Sequence, residues 1–402
     1  MIEKKRYDAG DTAAWLSLRN SLSDKLGGSE VGIAANHSKY SSFLKMLSER
    51  VGLVDKPDIS GKMAVKLGHW NEEFVAKEFE ARSGKTVHRE NCIYLNSDFP
   101  HLKASIDRKI ANEPSGLECK FMSDMTMRAY KRGEFPETYK DQCATYIAVT
   151  GLTRWYLAIV TNSRFFCYLM TRDKAEEERY YALAREGADS EEWQRDFAWL
   201  DAVYHLDDAE MRGAEIVAAH FIDCVQKVER YVADEEAKAP FPTDKARKAF
   251  LANAVCQVVE PFDIDGSADH ANQPTKQTLA EMFAEAVKDS SLEIAPGTED
   301  CRELSDLLAE RDAILQRQKE DAARKDAIEN ALRLKMRETE TMLLPAWKVV
   351  CATAAGRRSC SVPAVENYFS TRGEPVPDGL ITAGAPSRSL RVYARKGKTR
   401  AA

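Results

Sequence analysis

Lys103-Ala104-Ser105-Ile106-Asp107-Arg108 and Leu117-Glu118-Cys119-Lys120-Phe121 are the two stretches on which the reading of the fold turns, with ten residues between Asp107 and Glu118. Their apolar residues, bounded by Asn, Asp, Pro and Gly, mark short strands. Side chains alternate along a strand, so Glu118 and Lys120 leave the same face of the sheet. Asp107 stands at the end of the preceding strand, and a hairpin would bring it beside Glu118. Two carboxylates that close repel each other and recruit a hard divalent cation, for which Mg2+ is the default oxygen-ligand choice. Lys120 beside the cation would position a water and stabilise charge on a scissile phosphate. Glu72 offers a further acid from a helix before the sheet, and Gln142 an amide from a helix after it. Phosphodiester hydrolysis is the chemistry this set suits. The same residues also fit a blander reading, in which Asp107-Arg108 is a surface turn and Glu118 and Lys120 the charged solvent face of an edge strand.

Outward from this centre, Trp15, Leu16, Leu18 and Leu22 form a helical stripe, broken by Lys25-Leu26-Gly27-Gly28-Ser29-Glu30. Phe43, Leu44, Leu47 and Val51 give a second stripe. Trp70, Phe74, Val75 and Phe79 predict a helix over 62–82 with that face buried. Val87, Ile93-Tyr94-Leu95, Ala104–Ile106 and Lys109-Ile110 are further short strands. Tyr139, Cys143, Tyr146 and Ile147 predict a helix over 137–150. Residues 155–160 and 165–170 read as a hairpin across Thr161-Asn162-Ser163-Arg164, and 173 to about 235 as charged helix. The expected fold is α/β (α+β), with a central mixed sheet flanked by helices over residues 1–235.

Composition shifts beyond that domain. Residues 236–300 read as a linker, a helical stretch at 244–259 and an acidic segment with one short helix. Residues 301–345 are a long helix candidate whose Leu304, Leu308 and Leu315 share a face, so a coiled coil and a helix docked on its own subunit both fit. Residues 346–402 form a small basic element, with strands at Trp347–Val350 and Leu390–Tyr393 and with Arg357, Arg358, Arg388, Arg391 and Arg395 around them.

Across the chain, 58 basic and 64 acidic side chains give a formal net charge of -6, which argues against a histone-like binder but not against a local basic channel. No run approaches the roughly 18 apolar residues of a membrane span. Met1 to Asp8 lacks the apolar run of a signal peptide. The 9 cysteines form no C-x-x-C pair and read as buried thiols in a reducing cytoplasm, and the 7 histidines show no zinc spacing. The expected location is the cytoplasm of a bacterium or phage-infected cell. Lys131 and Arg132 are candidate contacts to a DNA backbone. Tyr130 and Phe135 read as core aromatics, and His69 and His101 as surface or packing residues.

Several stretches together resemble one family. Trp15-Leu16-Ser17-Leu18-Arg19 is similar to its W-x-x-x-R segment, and Leu26-Gly27-Gly28-Ser29-Glu30 to its "IGGSD" turn. Gly68–Ala76 resembles its G-x-x-x-E-P helix. Ala104-Ser105-Ile106-Asp107 resembles "ASPDG", Leu117-Glu118-Cys119-Lys120 "LEIK", and Tyr139-Lys140-Asp141-Gln142 "YxxQ". On these motifs residues 1–170 resemble the YqaJ-type viral recombinases, lambda-exonuclease-like nucleases of the PD-(D/E)xK superfamily. The resemblance implies a restriction-endonuclease-like core. It implies that Asp107 and Glu118 bind Mg2+, with Mn2+ as a substitute, that Glu72 assists, that Lys120 acts on the attacking water and that Gln142 supports the site. Arg19 and Ser29 would hold a terminal 5'-phosphate.

It further implies a 5'-to-3' exonuclease on double-stranded DNA ends that leaves 3' overhangs for a single-strand-annealing partner, working as a homo-oligomer, with a trimer favoured. The alternatives are an endonuclease or single-strand-specific nuclease on the same core, or a non-catalytic DNA-end assembly protein. The chain departs from the pattern at Glu73, where the family has Pro, at Ile106 for Pro, at Arg108 for Gly and at Glu30 for Asp. None of these removes a chemical group the reaction needs.

Overall fold

The computed structural model describes all residues except 9, 132, 187–189, 260–272, 284–290, 344–347, 352–361 and 378–402. The chain opens with β1 (Ile2–Arg6), α1 (Thr12–Ser21), β2 (Leu26–Gly27), α2 (Gly28–Ala34), α3 (Phe43–Arg50) and α4 (Met63–Ser83). Asp11 starts α1 by accepting from the Ala14 amide at 2.8 Å, and Ser42 starts α3 by accepting from Lys45 at 3.2 Å. Gly84 ends α4 at φ 67°, a conformation glycine adopts without the Cβ penalty.

Next come β3 (Val87–His88), β4 (Cys92–Asn96), β5 (Phe99–Ala104), β6 (Arg108–Ile110), β7 (Ser115–Phe121), α5 (Asp124–Met127), α6 (Glu137–Thr150), β8 (Arg154–Val160) and β9 (Phe165–Thr171). The unit continues through α7 (Lys174–Glu186), α8 (Glu191–Asp196), β10 (Ala202–His205), α9 (Asp208–Lys238), α10 (Asp244–Val259) and α11 (Gln273–Met282).

Two sheets organise it. One is four-stranded, in the order β1-β4-β5-β2; the other is six-stranded, in the order β10-β9-β8-β7-β6-β3. The larger is mixed: β7 runs parallel to β8, and β8 pairs antiparallel with β9 as the expected hairpin. The period of two along β7 divides its side chains between two layers. Leu117 and Cys119 join Val75, Ala76 and Phe79 of α4 and Tyr156 and Ala158 of β8 in one apolar cluster. Glu118 and Lys120 point the other way, toward α6. There Cys143, Ala144, Ile147 and Ala148 of α6 belong to the larger cluster with Leu26, Leu102, Trp155 and Leu157. Trp155 and Phe79 are fully buried, and such side chains contribute on the order of 1.5–3 kcal/mol each by leaving water. Gly116 is required beside Trp155, because a Cβ there would overlap the indole ring. This helix–sheet–helix layering around a mixed sheet is a restriction-endonuclease-like core.

Three features differ from the sequence reading. Trp70 and Phe74 are exposed, because the buried residues of α4 are Val75, Ala76 and Phe79 in its C-terminal half. The charged stretch after 173 contains a strand, β10, which joins the sheet parallel to β9 through Ala202↔Tyr168 to His205↔Thr171. The N-terminal Ile2–Arg6 is also a strand, paired antiparallel with β4. Tyr130 is partly buried, and Phe135 packs 4.7 Å from the Tyr168 ring. Cys92, Cys119, Cys143, Cys167 and Cys224 are buried free thiols.

The chain divides into two compact units, Met1–Ala284 and Glu285–Ala402. In the first, α10 packs on α9 and α11 on α3, with Leu251, Ala252, Ala254 and Val255 of α10 buried. The second holds α12 (Glu299–Met336), β11 (Thr341–Leu343), β12 (Lys348–Val350) and α13 (Val362–Ser370). Leu304, Leu308, Leu315 and Ile328 of α12 are exposed. Most of the acidic stretch at 261–300, Trp347, the strand expected at Leu390–Tyr393 and the five tail arginines lie outside the described residues. Among the described residues, no helix is long and apolar enough to cross a membrane.

Candidate active site

The antiparallel register of β6 and β7 pairs Arg108 with Leu117, which sets Asp107 across from Glu118. Asp107 Oδ2 accepts from the Cys119 amide at 2.9 Å, so the backbone of β7 itself fixes the aspartate. Glu118 is buried at 2% exposure. Its Oε1 accepts from Lys120 Nζ and, at 2.7 Å, from Gln142 Nε2 of α6. Gln142 also donates to the Tyr146 hydroxyl at 2.7 Å. Both donors meet one oxygen of the carboxylate, and Glu118 Oε2 is buried with no hydrogen-bond partner. Lys120 Nζ lies 5.1 Å from the Tyr139 ring centroid, a cation–π contact that steadies it from the side of α6.

The electrostatics follow from this crowding. Burial raises the Asp107 pKa well above the usual carboxylate value; Glu118 raises it further, and Lys120 opposes the rise. Burial disfavours the Lys120 ammonium, but Glu118 and Asp107 outweigh that and hold it protonated more firmly than a free lysine. Lys120 is therefore a cation rather than a base in this arrangement.

These side chains line a cavity of about 510 Å3 with Arg19 and Ser29, which come from the first 30 residues of the chain. Arg19 sits in the last turn of α1, 5.5 Å from the Trp15 ring and 3.9 Å from Glu30 Oε1. Trp15 Nε1 donates to Ser105 Oγ at 3.1 Å, which ties α1 to the segment carrying Asp107. Ser29 is exposed at the start of α2, where Gly27 N donates to Glu30 Oε2 at 2.8 Å.

Glu72 reaches the same cavity from α4 with its carboxylate already engaged. Arg108 Nη1 donates to Glu72 Oε1 at 2.6 Å, and Arg89 Nη2 stands 3.3 Å from the same oxygen. Lys131 does not line the cavity: its side chain is 88% exposed and loosely paired with Glu134 at 3.9 Å. Arg132 lies outside the described residues. His69 lines the cavity, while His101 bonds Glu215 at 2.6 Å.

Among the described residues, no group of three or more His, Cys, Asp or Glu side chains forms a metal-holding cluster. Two carboxylates, Asp107 and Glu118, remain without an arginine partner. A bare buried oxygen on Glu118, beside an aspartate whose charge its neighbours oppose, has the chemistry of an oxygen-donor pair for a hard divalent ion.

Lys103, Arg89 and Tyr7 were not assigned roles from sequence, yet all three line the cavity. Lys103 is buried and donates to Leu22 O at 2.7 Å and Arg19 O at 3.0 Å, closing the C-terminal end of α1. Alternation on β5 could have indicated it, since Leu102 and Ala104 beside it are wholly buried on the opposite face. No sequence signal marks Arg89.

Residues 14–153 match the model of the YqaJ-like viral recombinase domain. Over 145 residues the chain is 31% identical to an uncharacterized protein YqaJ of Bacillus subtilis (strain 168), covering 36% of this chain and 45% of that protein. The chain thus spans about half the length of that relative. An alkaline exonuclease of Laribacter hongkongensis aligns over 56% of this chain and 99% of its own, with 16% identity and a TM-score of 0.40. The structure named SSO0001 aligns over 41% of this chain and 81% of its own, with 15% identity and a TM-score of 0.24.

Proposed function

We propose that this chain, linked through residues 14–153 to the YqaJ-like viral recombinases, is a divalent-metal-dependent nuclease that hydrolyses double-stranded DNA from 5' ends. The observation that carries the reading is the bare, buried Oε2 of Glu118 beside Asp107, with Lys120 on the same face. Asp107 and Glu118 would hold Mg2+, or Mn2+ in its place. Such an ion supplies Lewis acidity to a phosphoryl oxygen and lowers the pKa of water.

The protein's own groups do the rest. Gln142 turns the Glu118 carboxylate so that Oε2 stays open to the cavity. Lys120, a firm ammonium, stabilises negative charge developing on the scissile phosphate. Arg19 suits a terminal phosphate through its planar fork of donors, with the Ser29 hydroxyl beside it in the cavity. Phosphate held by Arg19 and the reacting bond held near Asp107 make a site that counts from an end. The product would be a 3' overhang, suited to a single-strand-annealing partner, and the catalytic domain would be residues 1–235. Assembly as a homo-oligomer, a trimer in the first instance, belongs to the same proposal.

Three substrates test it: linear duplex with 5'-phosphate, the same duplex with 5'-hydroxyl, and a closed circle, each with and without Mg2+. The expected result is Mg2+-dependent digestion of linear DNA, preference for the phosphorylated end, and an intact circle. Arg19→Ala should erase the preference, a change of about tenfold or more for one charge-assisted contact. Cutting of the circle at the linear rate would make the enzyme an endonuclease.

A further inference from the structure

Arg108 is 3% exposed in its side chain, and a guanidinium so buried needs full compensation. It finds it at one place. Nη1 donates to Glu72 Oε1 at 2.6 Å and to the Asp107 carbonyl at 2.8 Å, and Nη2 donates to Glu73 Oε2 at 2.9 Å. Arg89 adds a second guanidinium, 3.3 Å from Glu72 and 3.4 Å from Glu73. The two adjacent glutamates of α4 are thus matched by two arginines. Glu73 and Arg108, two of the positions at which the sequence departs from the family pattern, are the two ends of one ion pair.

We propose that Arg108 is a positioning residue that withholds Glu72 from the divalent ion, leaving a centre of two carboxylates, Asp107 and Glu118. The proposal rests on the reading of the cavity as a metal-dependent nuclease site. Glu72 could join an ion only by giving up the shorter of its two arginine contacts, and Arg108 would then stay buried with half its compensation gone. Glu72 is partly exposed, so a third carboxylate there would recover less than the buried guanidinium loses. Arg108 also fixes the backbone at Asp107 through its bond to that carbonyl, so one side chain sets the position of one ligand and the availability of another.

Calorimetric binding of Mn2+ in the absence of DNA tests this apart from activity. Wild type, Glu72→Gln, Arg108→Met, the double variant, Arg108→Lys and Asp107→Asn are compared, each with thermal melts in chelator and in Mn2+. Glu72→Gln alone should change the Mn2+ Kd by less than about threefold, whereas Arg108→Met should tighten it by about tenfold, the scale of changes around a metal's ligands. Glu72→Gln added to Arg108→Met should remove that gain, and Arg108→Lys, which keeps the charge, should stay near wild type.

Melts of Arg108→Met should show a larger Mn2+-induced rise in Tm than wild type, because the ion replaces the lost compensation. A Glu72→Gln variant that by itself weakens Mn2+ tenfold would overturn the proposal; it sits on a partly exposed helix position and settles the matter even if Arg108→Met does not fold. Unchanged affinity in Arg108→Met would also overturn it. Unaltered Mn2+ binding in Asp107→Asn would instead remove the metal site itself, and this proposal with it.

Discussion

Gln142 Nε2 donates to Glu118 Oε1 at 2.7 Å, and this bond decides which oxygen of the glutamate stays open. Gln142→Leu leaves the carboxylate free to turn, and Lys120 alone then orients it. The expected outcome is a fall in kcat of about 10–100-fold on linear duplex, with little change in KM, as for loss of a group that orients a metal ligand. Steady-state kinetics with Mg2+ check it.

Helices α2 and α6 approach closely enough that glycine is needed at two positions. A Cβ at Gly32 would stand 2.9 Å from Thr138 Cα, and backbone cannot yield as a side-chain tip can. Gly32→Ala should therefore destabilise the protein by roughly 1–3 kcal/mol in a denaturant titration. A Cβ at Gly28 would stand 3.0 Å from Gln142 Cγ and 2.9 Å from Tyr146 Cε1. Gly28→Ala should lower activity more than stability, because what it displaces is the orienting amide.

Burial lowers the Lys103 pKa to about 8 from an ordinary lysine value of 10.5, with Glu30 resisting the change. The unfolded chain binds this proton more tightly, so the group destabilises the folded state below about pH 8. Stability rises as pH climbs from there toward 10.5. Lys103→Met should remove that slope from a series of chemical melts. In the same window the cavity loses a positive charge beside Arg19, so binding of 5'-phosphorylated duplex should weaken between roughly pH 7 and pH 9 in wild type and less so in the variant.

The central residues were legible because their signals are local. Glu118 and Lys120 share a strand face by alternation, and Gln142 lies on a helix whose apolar spacing is plain. The hairpin that brings Asp107 to Glu118 is short enough to follow from its turn residues. The engagement of Glu72 was not legible. Its partner Arg108 lies 36 positions away, and nothing in either neighbourhood says which charge a buried guanidinium will choose. Strand β1, Ile2-Glu3-Lys4-Lys5-Arg6, carries four consecutive charged residues and no apolar alternation; its pairing with β4 is decided by the edge it completes. Trp70 and Phe74 continue a helical apolar stripe that the sheet does not cover, and sequence periodicity cannot show where a partner surface stops.

Without a divalent ion, Asp107 and Glu118 oppose each other, and burial adds to the cost of the aspartate's charge. Asp107→Asn should raise Tm in chelator at neutral pH by about 2–5 °C, since a neutral amide removes the like charge. Divalent ion should narrow or reverse the difference by stabilising wild type alone. Differential scanning calorimetry with and without Mn2+ reads both effects.

The most direct test is release of label from a 5'-phosphorylated linear duplex in Mg2+, comparing wild type with Asp107→Asn at matched folded concentration. Release by wild type and its loss in the variant, by about a thousandfold or more, is the predicted result for removing one of two metal-holding carboxylates. Equal release by the two proteins would contradict the assignment of Asp107 and Glu118 as the hydrolytic centre.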